Sequence, residues 1–147
     1  MLNKIVVFGA SGMLGKDLLK HLEAKEIITP SHSECDIGDW SSVDLFFDRV
    51  KNIDMVINCA AFVKVDFCEI EASEAFKINS EGPHILAQWC KKIGATLVNI
   101  STDYVFEGTQ EIYTTEDDCY PQSVYGKSKL IGEQYIQVIL EKYFKYY

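Results

Sequence analysis

The sequence predicts an α/β fold in which one domain, spanning residues 1–147, forms a doubly wound, Rossmann-like parallel sheet. Three observations carry this prediction: short apolar runs alternate with helically periodic segments, a glycine-rich turn follows the first run, and two later runs are apolar nearly throughout. Continuous apolar runs are typical of strands buried on both faces, and such strands need helices on both sides of a parallel sheet.

The first half of the chain is predicted to run strand, helix, strand, helix. Lys4–Phe8 is the first strand, and the helix after it, over about 12–24, places its leucines on one face. Ile27–Thr29 is a short second strand, and residues 31–36 form a polar connection with room for a minimal third strand. A helix over Trp40–Val50 completes this half.

The second half is predicted to continue the alternation. Met55–Ala60 and Thr96–Ser101 are the two nearly continuous apolar runs and belong at the centre of the sheet. The helix between them, over Ser73–Lys92, should kink or restart at Gly82-Pro83, because proline removes one backbone donor and clashes with the preceding turn. The last helix covers residues 123–137 and beyond. This order of elements places a ligand crevice at the carboxyl ends of the strands.

Composition and charge narrow the classes of function. A net charge of −8 and a pI near 4.8 provide no basic patch, which argues against nucleic-acid binding. The apolar run Ile5–Phe8 is too short for a signal-peptide core or a membrane span, so we expect a cytoplasmic protein without a membrane segment. The cysteines show no CxxC pair or metal-ligand spacing, so we expect packing thiols and no metal site.

A turn with GxxGxxG spacing, formed by Gly9, Gly12 and Gly15, joins the first strand to the first helix. Glycines at this spacing allow a tight turn, close approach of the backbone to a pyrophosphate, and close packing of helix on strand. The amides at the helix start, from Gly12 through Met13 to Leu14, can bind phosphate with help from the helix dipole. This setting predicts a site for NAD or NADP in preference to a purely structural turn.

The residues expected to contact the adenosine follow the second strand. An acidic residue that binds the ribose hydroxyls is usual at the end of that strand, but Ser31 and His32 occupy this place. A neutral serine and a histidine that can carry charge tolerate a 2′-phosphate, which favours NADPH or dual use over strict NADH, unless His32 is simply a surface residue. Asp36 and Ile37, just before the next helix, can flank the adenine with one acceptor and one apolar side chain.

Hydroxyl, carboxylate and phenol groups are predicted to meet at the carboxyl end of the strand Thr96–Ser101. Thr102 and Asp103 follow this strand directly, and Tyr125 and Lys129 lie one turn apart at the start of the last helix. The YxxxK spacing is weak evidence alone, because a chain with 8 tyrosines often contains it by chance. Its place after a dinucleotide turn and a hydroxyl-bearing strand end makes the combination specific.

These residue types suit the reduction of a carbonyl group by hydride transfer. Thr102 can hydrogen-bond the carbonyl oxygen and orient it. Tyr125 can protonate that oxygen if positive charge from Lys129 and an oxidised nicotinamide lowers its pKa from the usual value of about 10. The alternative, an exposed tyrosine and lysine on an amphipathic helix, is disfavoured by the other elements.

Together these residues resemble the dTDP-4-dehydrorhamnose reductase family of the extended short-chain dehydrogenases/reductases. The resemblance covers essentially the whole chain, and the STDYVF stretch at Ser101–Phe106 is its most diagnostic part. The other matching segments are the GxxGxxG turn, Asn58–Phe62 with Val65-Asp66, Asn79 with Gly82-Pro83, Gly108, Pro121, Tyr125–Leu130 and Gly132-Glu133.

The resemblance implies a role for each matching position. The implied cofactor contacts are phosphate at Gly12, Met13 and Leu14, adenine at Asp36 and Ile37, and ribose or nicotinamide at Ala60, Ala61 and Phe62. Tyr125 and Lys129 would touch the nicotinamide ribose, and Thr102 and Asp103 the sugar of a nucleotide-sugar substrate. Tyr125 would protonate the 4-keto group to give dTDP-L-rhamnose. Related dehydratases carry Asp-Glu after the threonine, and here Tyr104 follows Asp103, which argues against dehydration.

Members of that family are considerably longer. Their remaining part supplies further strands and the lobe that binds the nucleotide of the substrate. We therefore expect residues 1–147 to be an N-terminal piece that binds the cofactor, with its turnover left open. Thr96–Ser101 would then lie at a sheet edge that needs cover from a partner chain or a helix. A non-catalytic NADP-binding regulatory subunit, an epimerase that uses Tyr125 and Lys129, and a homo-oligomeric state stay open as alternatives.

Overall fold

The computed structural model, which describes residues 2–147, contains one sheet of five parallel strands. In the order β2-β1-β3-β4-β5 across the sheet, the strands are β1 Leu2–Phe8, β2 Ala24–Ile28, β3 Met55–Asn58, β4 Thr96–Ile100 and β5 Tyr143–Tyr146. The helices are α1 Met13–Leu18, α2 Trp40–Arg49, α3 Val65–Ile70, α4 Ala72–Phe76, α5 Gly82–Ile93 and α6 Val124–Ile139. The predicted doubly wound, Rossmann-like fold is confirmed, with its switch point between β1 and β3.

Helices cover the two faces of the sheet unequally. On one face, α2, α5 and α6 enclose the main core, which contains the fully buried side chains of Phe8, Phe47 and Leu86. On the other face, α1 covers a smaller cluster around Ile5 and Ile57. Because a fully buried apolar side chain contributes roughly 1.5–3 kcal/mol, the main core supplies most of the stabilisation that holds the strand ends in place.

The first helix and the second strand differ from their predicted bounds. The helix predicted over 12–24 ends at Leu18, and residues 19–21 form a turn. Because β2 already begins at Ala24, where it pairs with β1, the chain must reverse within a few residues of the helix. Strand pairing therefore overrides the helical spacing of the leucines. The minimal third strand considered over 31–36 is not formed, since this segment is a turn.

The strand β4 is not at the edge of the sheet, contrary to the prediction from sequence. After α6 the chain turns back, and β5 pairs in parallel with β4, Leu97 opposite Tyr143 and Ile100 opposite Tyr146. The prediction was wrong because the short segment Tyr143–Tyr146 carries no clear strand pattern, so the sequence indicates only a helix that continues past residue 137. The edge strand on this side is β5.

The helix predicted over Ser73–Lys92 is interrupted near Gly82-Pro83, as expected. Its middle, Lys77–Glu81, is a π-helical turn that separates α4 from α5. Pro83 has no N–H to donate and lies in the first turn of α5, where a missing N–H costs least. Within this turn Asn79 is buried, with 1% of its surface exposed.

Two further findings concern membranes and metals. Within residues 2–147, no helix combines the length and the apolar character that crossing a bilayer requires. In the same part of the chain, histidine, cysteine and carboxylate side chains do not gather in groups of three or more that could hold a metal ion.

Candidate functional site

The glycine-rich turn lies at the carboxyl end of β1, directly against the end of β3. Gly9 has a φ of 74°, and a Cβ at this position would lie 2.5 Å from the amide nitrogen of Ala60. A Cβ on Gly15 would overlap the carbonyl oxygen of Gly9. Both positions therefore require glycine, which lets α1 and the loop after β3 approach the turn closely.

The start of α1 offers backbone donors to a phosphate. Gly12 is the N-cap residue and supplies no capping side chain, and the first turn contains no acidic residue that would repel an anion. Amides in the first turn of a helix have no partner within the helix. Met13 is 92% exposed and Leu14 47% exposed, so this turn faces solvent. The arrangement fits a dinucleotide phosphate.

The segment after β2 contains a charge that the sequence analysis missed. The Glu34 carboxylate accepts hydrogen bonds from the backbone N–H of Ser31 at 2.8 Å and from its hydroxyl at 2.7 Å. These bonds hold the pKa of Glu34 below its usual value. Both donors of Ser31 therefore already serve a carboxylate. Ser31 and His32 therefore favour a 2′-phosphate less than their own charges suggest, because the Glu34 anion lies beside Ser31.

The two residues expected at the adenine lie in different environments. Asp36 accepts from the Gly38 N–H at 2.9 Å and from Lys77 Nζ at 3.2 Å. Although burial alone would raise the pKa of Asp36, these partners hold it below its usual value. Ile37 is only 5% exposed and packs in the main core. Asp36 thus remains accessible as an acceptor, whereas little of the Ile37 side chain can reach an adenine ring.

The loop at residues 60–62, which follows β3, is held by buried amides. The Ala60 N–H donates to Asn58 Oδ1 at 3.1 Å, and Asn58 Nδ2 donates to Asn99 Oδ1 at 2.8 Å. Farther along, the Phe62 N–H donates to Asn79 Oδ1 at 2.8 Å, and Asn79 Nδ2 donates back to the Phe62 carbonyl oxygen at 3.0 Å. Residues 60–62 are each half-buried and lie next to the glycine turn.

The start of α6 brings Tyr125 and Lys129 to the carboxyl end of β4. Ser123 caps the helix by accepting from the Gly126 N–H at 3.0 Å. Lys129 is 4% exposed, and its Nζ donates to the carbonyl oxygen of Ile100, the last residue of β4, at 2.5 Å. Tyr125 is 9% exposed. Both side chains are therefore buried, which argues against an exposed tyrosine and lysine pair.

Burial has the largest effect on the electrostatics of this pair. Burial raises the pKa of Tyr125, a hydrogen bond with Thr102 acts in the lowering direction, and Asp103 is among the groups that raise it further. The ammonium group of Lys129 is directed to the strand end, where it donates to the carbonyl oxygen of Ile100. Burial lowers the pKa of Lys129 to about 8, against the raising effect of Glu133.

An open cavity of about 510 Å³ lies beside this site. The STDYVF segment contributes Asp103, Tyr104 and Phe106 to its lining, and Glu69 lies on the α3 side. The ring of Tyr104 also meets the ring of Tyr125 edge-on, with centroids 5.6 Å apart. The volume suits a small ligand, and its carboxylates suit hydroxyl groups better than an anionic diphosphate.

Several buried polar residues that support the site were missed. Glu133 is 1% exposed and accepts from the Ser101 hydroxyl, from Lys145 Nζ at 3.0 Å and from the Tyr147 hydroxyl at 3.1 Å. Ser128 is fully buried on the same helix. A signal was present, because Glu133 follows Lys129 at the spacing of one helical turn and so lies on the same face.

Comparison with known proteins gives consistent matches. Residues 3–144 match the family model described as the RmlD substrate binding domain. A dTDP-4-dehydrorhamnose reductase of Mycolicibacterium smegmatis is 41% identical over 138 residues, which are 91% of this chain and 41% of that protein.

Two solved structures share the fold throughout this chain. A dTDP-4-dehydrorhamnose reductase from Clostridium acetobutylicum superposes with a TM-score of 0.91 and 43% identity, over 97% of this chain and 51% of that one. The Bacillus anthracis dTDP-4-dehydrorhamnose reductase, in complex with NADP, gives a TM-score of 0.92 and 36% identity, over 99% of this chain and 52% of that one. The chain spans about half the length of these relatives.

Proposed function

The chain belongs to the family of RmlD substrate binding domains, and from this premise we propose that residues 1–147 form the NAD(P)-binding domain of a reductase of the short-chain dehydrogenase/reductase type. The proposed reaction is reduction of the 4-keto group of dTDP-4-dehydrorhamnose to give dTDP-L-rhamnose. One observation carries the proposal: Tyr125 and Lys129 are both buried at the carboxyl end of β4, where Lys129 contacts Ile100 and Tyr125 lies beside Thr102.

The cofactor site in this proposal combines the turn, the loop at residues 60–62 and the start of α6. The exposed first turn of α1 and the glycine-rich turn before it bind the pyrophosphate. The Asp36 carboxylate accepts a hydrogen bond from the adenine end of the cofactor. The half-buried residues 60–62 line the nicotinamide end. When bound, the reduced nicotinamide supplies the hydride. NADPH and NADH are both candidates, because the negative charge of Glu34 offsets the preference for a 2′-phosphate that Ser31 and His32 suggest.

The proton comes from Tyr125. The phenol of Tyr125 is protonated at neutral pH and donates to the reduced oxygen; burial, which raises its pKa, makes it a weaker acid, so nearby positive charge has to offset that effect. Thr102 hydrogen-bonds the same oxygen and orients it. Lys129, a buried cation one turn along the helix, stabilises the tyrosinate that remains after the transfer. Asp103, in the lining of the open cavity, accepts hydrogen bonds from the sugar hydroxyls.

The test separates cofactor binding from turnover. The chain is titrated with NADPH and NADH while nicotinamide fluorescence is recorded, and NADPH oxidation is then followed with dTDP-4-dehydrorhamnose. Tyr125→Phe should keep cofactor affinity and lower any turnover by roughly 10²–10⁴-fold, because general acid catalysis contributes that much. No binding of either cofactor would overturn the proposed site.

The same variant discriminates the main alternative. A non-catalytic regulatory subunit would bind cofactor without turnover, and its effect on a partner would be the same for the wild type and Tyr125→Phe. Equal turnover in the wild type and the variant would remove Tyr125 from the proposed chemistry.

A further inference from the structure

The buried face of α6 carries two ionisable side chains after the phenol of Tyr125. Lys129 and Glu133 follow Tyr125 at intervals of four residues, so all three lie on the same side of the helix. All three are buried, and Glu133 is the most enclosed of them. The proposed reaction employs Tyr125 and Lys129, and it leaves the buried carboxylate of Glu133 without a role.

Lys129 and Glu133 are anchored at consecutive residues of one strand end. The Lys129 ammonium group donates to the carbonyl oxygen of Ile100 at 2.5 Å, and Glu133 Oε1 accepts from the hydroxyl of Ser101. The Ile100 carbonyl has no formal charge, so it does not neutralise the buried cation. A carboxylate one helical turn away does, because opposite charges attract strongly where water is excluded.

The donors around Glu133 favour the charged form of its carboxylate. Besides the contact with the Ser101 hydroxyl, Glu133 Oε2 accepts from Lys145 Nζ at 3.0 Å and from the Tyr147 hydroxyl at 3.1 Å. Hydrogen bonds donated to a carboxylate and a cation beside it both favour ionisation. Glu133 therefore supplies a negative charge to two cations, Lys145 by direct contact and Lys129 along the helix.

We propose that Glu133 is a positioning residue that keeps the buried ammonium group of Lys129 charged next to Tyr125. This inference rests on the proposed function, in which the Lys129 cation stabilises the tyrosinate left by proton transfer. Burial lowers the pKa of Lys129 to about 8, close to neutral pH, and Glu133 acts in the raising direction. Without the carboxylate, a larger share of Lys129 would lose its proton at neutral pH, and with it the charge that the reaction needs.

The other titratable groups near this pair do not take over the role of Glu133. Burial raises the pKa of the Tyr125 phenol and of the Cys59 thiol, which lies near Lys129, so both are uncharged at neutral pH. Burial also raises the pKa of the Cys119 thiol, which lies near Glu133. These three groups therefore do not supply the negative charge that a buried ammonium group requires.

Three variants separate the charge of Glu133 from its packing. Glu133→Gln keeps the shape of the side chain and removes its charge. Lys145→Met keeps the carboxylate and removes the cation in contact with it. Ser101→Ala removes one hydrogen bond from the same carboxylate and leaves both charges in place, so it is the matched control for a merely structural role.

The experiment measures the pKa of Lys129 in the wild type and in each variant. Lysine is labelled with ¹³C at Cε, the proteins are titrated by NMR, and the Lys129 signal is identified by its loss in Lys129→Met. We expect the pKa of Lys129 to fall by about 1 or more in Glu133→Gln, to rise in Lys145→Met, and to stay at the wild-type value in Ser101→Ala. Loss of stability alone does not produce opposite directions in two variants that break the same ion pair.

An unchanged pKa of Lys129 in Glu133→Gln, or a comparable fall in Lys145→Met or Ser101→Ala, would overturn the inference and leave the proposed function standing. Absence of NADH and NADPH binding in the wild type would overturn both. If Glu133→Gln does not fold, the double variant Glu133→Gln/Lys145→Met, which removes both charges of the pair, takes its place. Its Lys129 pKa should lie below that of Lys145→Met by about 1 or more, and equal values would refute the role of Glu133.

Discussion

The two ends of the proposed cofactor site are built in opposite ways. The phosphate end is a local stretch of backbone, in which Gly9 and Gly15 matter because they lack a Cβ. The reaction end is a set of buried side chains, and Thr102, Tyr125 and Lys129 come from two distant segments of the chain. A single added methyl group therefore disrupts the phosphate end. The reaction end is disrupted instead when a buried polar group loses one of its partners.

The largest expected effect is a loss of stability at the buried carboxylate of Glu133. Lys145→Met removes its cationic partner, and breaking a buried ion pair costs about 3–5 kcal/mol. Because two hydroxyl groups still donate to the carboxylate, we expect a loss of about 3 kcal/mol in the free energy of unfolding, measured with urea. In the control Lys4→Met, the partner Glu26 is 54% exposed, and the loss should stay below about 1 kcal/mol. Equal losses would contradict the importance of burial.

The next largest effect concerns the glycine turn at the phosphate end of the site. In Gly15→Ala the new Cβ overlaps the Gly9 carbonyl oxygen, so the free energy of unfolding should fall by about 2–3 kcal/mol and cofactor binding should be lost. Gly94→Ala is the matched control, because Gly94 has a φ of 74° but open space around it. Its strain should cost only about 1 kcal/mol, with cofactor affinity unchanged. Cofactor affinity near that of the wild type in Gly15→Ala would refute the backbone argument.

The third prediction concerns the pH dependence of stability, and it compares the buried Lys129 with an exposed lysine on the same helix. The unfolded chain keeps the Lys129 proton up to an ordinary pKa of about 10.4, whereas burial lowers the folded pKa to about 8. Between these values the unfolded state binds more protons, so Lys129 makes stability rise with pH through this window. In Lys129→Met the rise from about pH 7.5 to about pH 9.5 should be smaller by about 2 kcal/mol, measured by urea unfolding.

Lys127→Met is the control for that measurement, because Lys127 is exposed on the same helix. This variant should keep the full rise of the wild type. A rise in Lys129→Met as large as that in Lys127→Met would mean that the folded protein does not hold Lys129 in a low-polarity environment.

The smallest effect sharpens the comparison at the adenosine end of the site. Glu34→Gln removes the negative charge beside Ser31, and the affinity for NADPH should rise roughly two- to tenfold, because a 2′-phosphate is no longer repelled across solvent. The affinity for NADH should stay the same. Fluorescence titration with both cofactors measures the ratio, and an unchanged ratio would place the 2′-phosphate away from Glu34.

Much of the fold follows from local patterns. The strands at Met55 and Thr96, the helix from Trp40 and the interruption before Pro83 are all found close to their predicted positions. These features depend on apolar runs, helical spacing and the missing N–H of proline, which are visible within a few residues. The bounds of α1 and the strand β5 could not be read in this way, because pairing with distant strands decides them.

By itself, the sequence determined the alternation of strands and helices, the glycine turn and the candidate set of Thr102, Tyr125 and Lys129, because each rests on residue types at short, regular spacing. Only the tertiary structure decided that Ile37 is buried and that Glu34 occupies the donors of Ser31. It also decided which donors surround the buried carboxylate of Glu133. The physical reason is that a hydrogen bond between distant segments depends on packing, which local spacing does not encode.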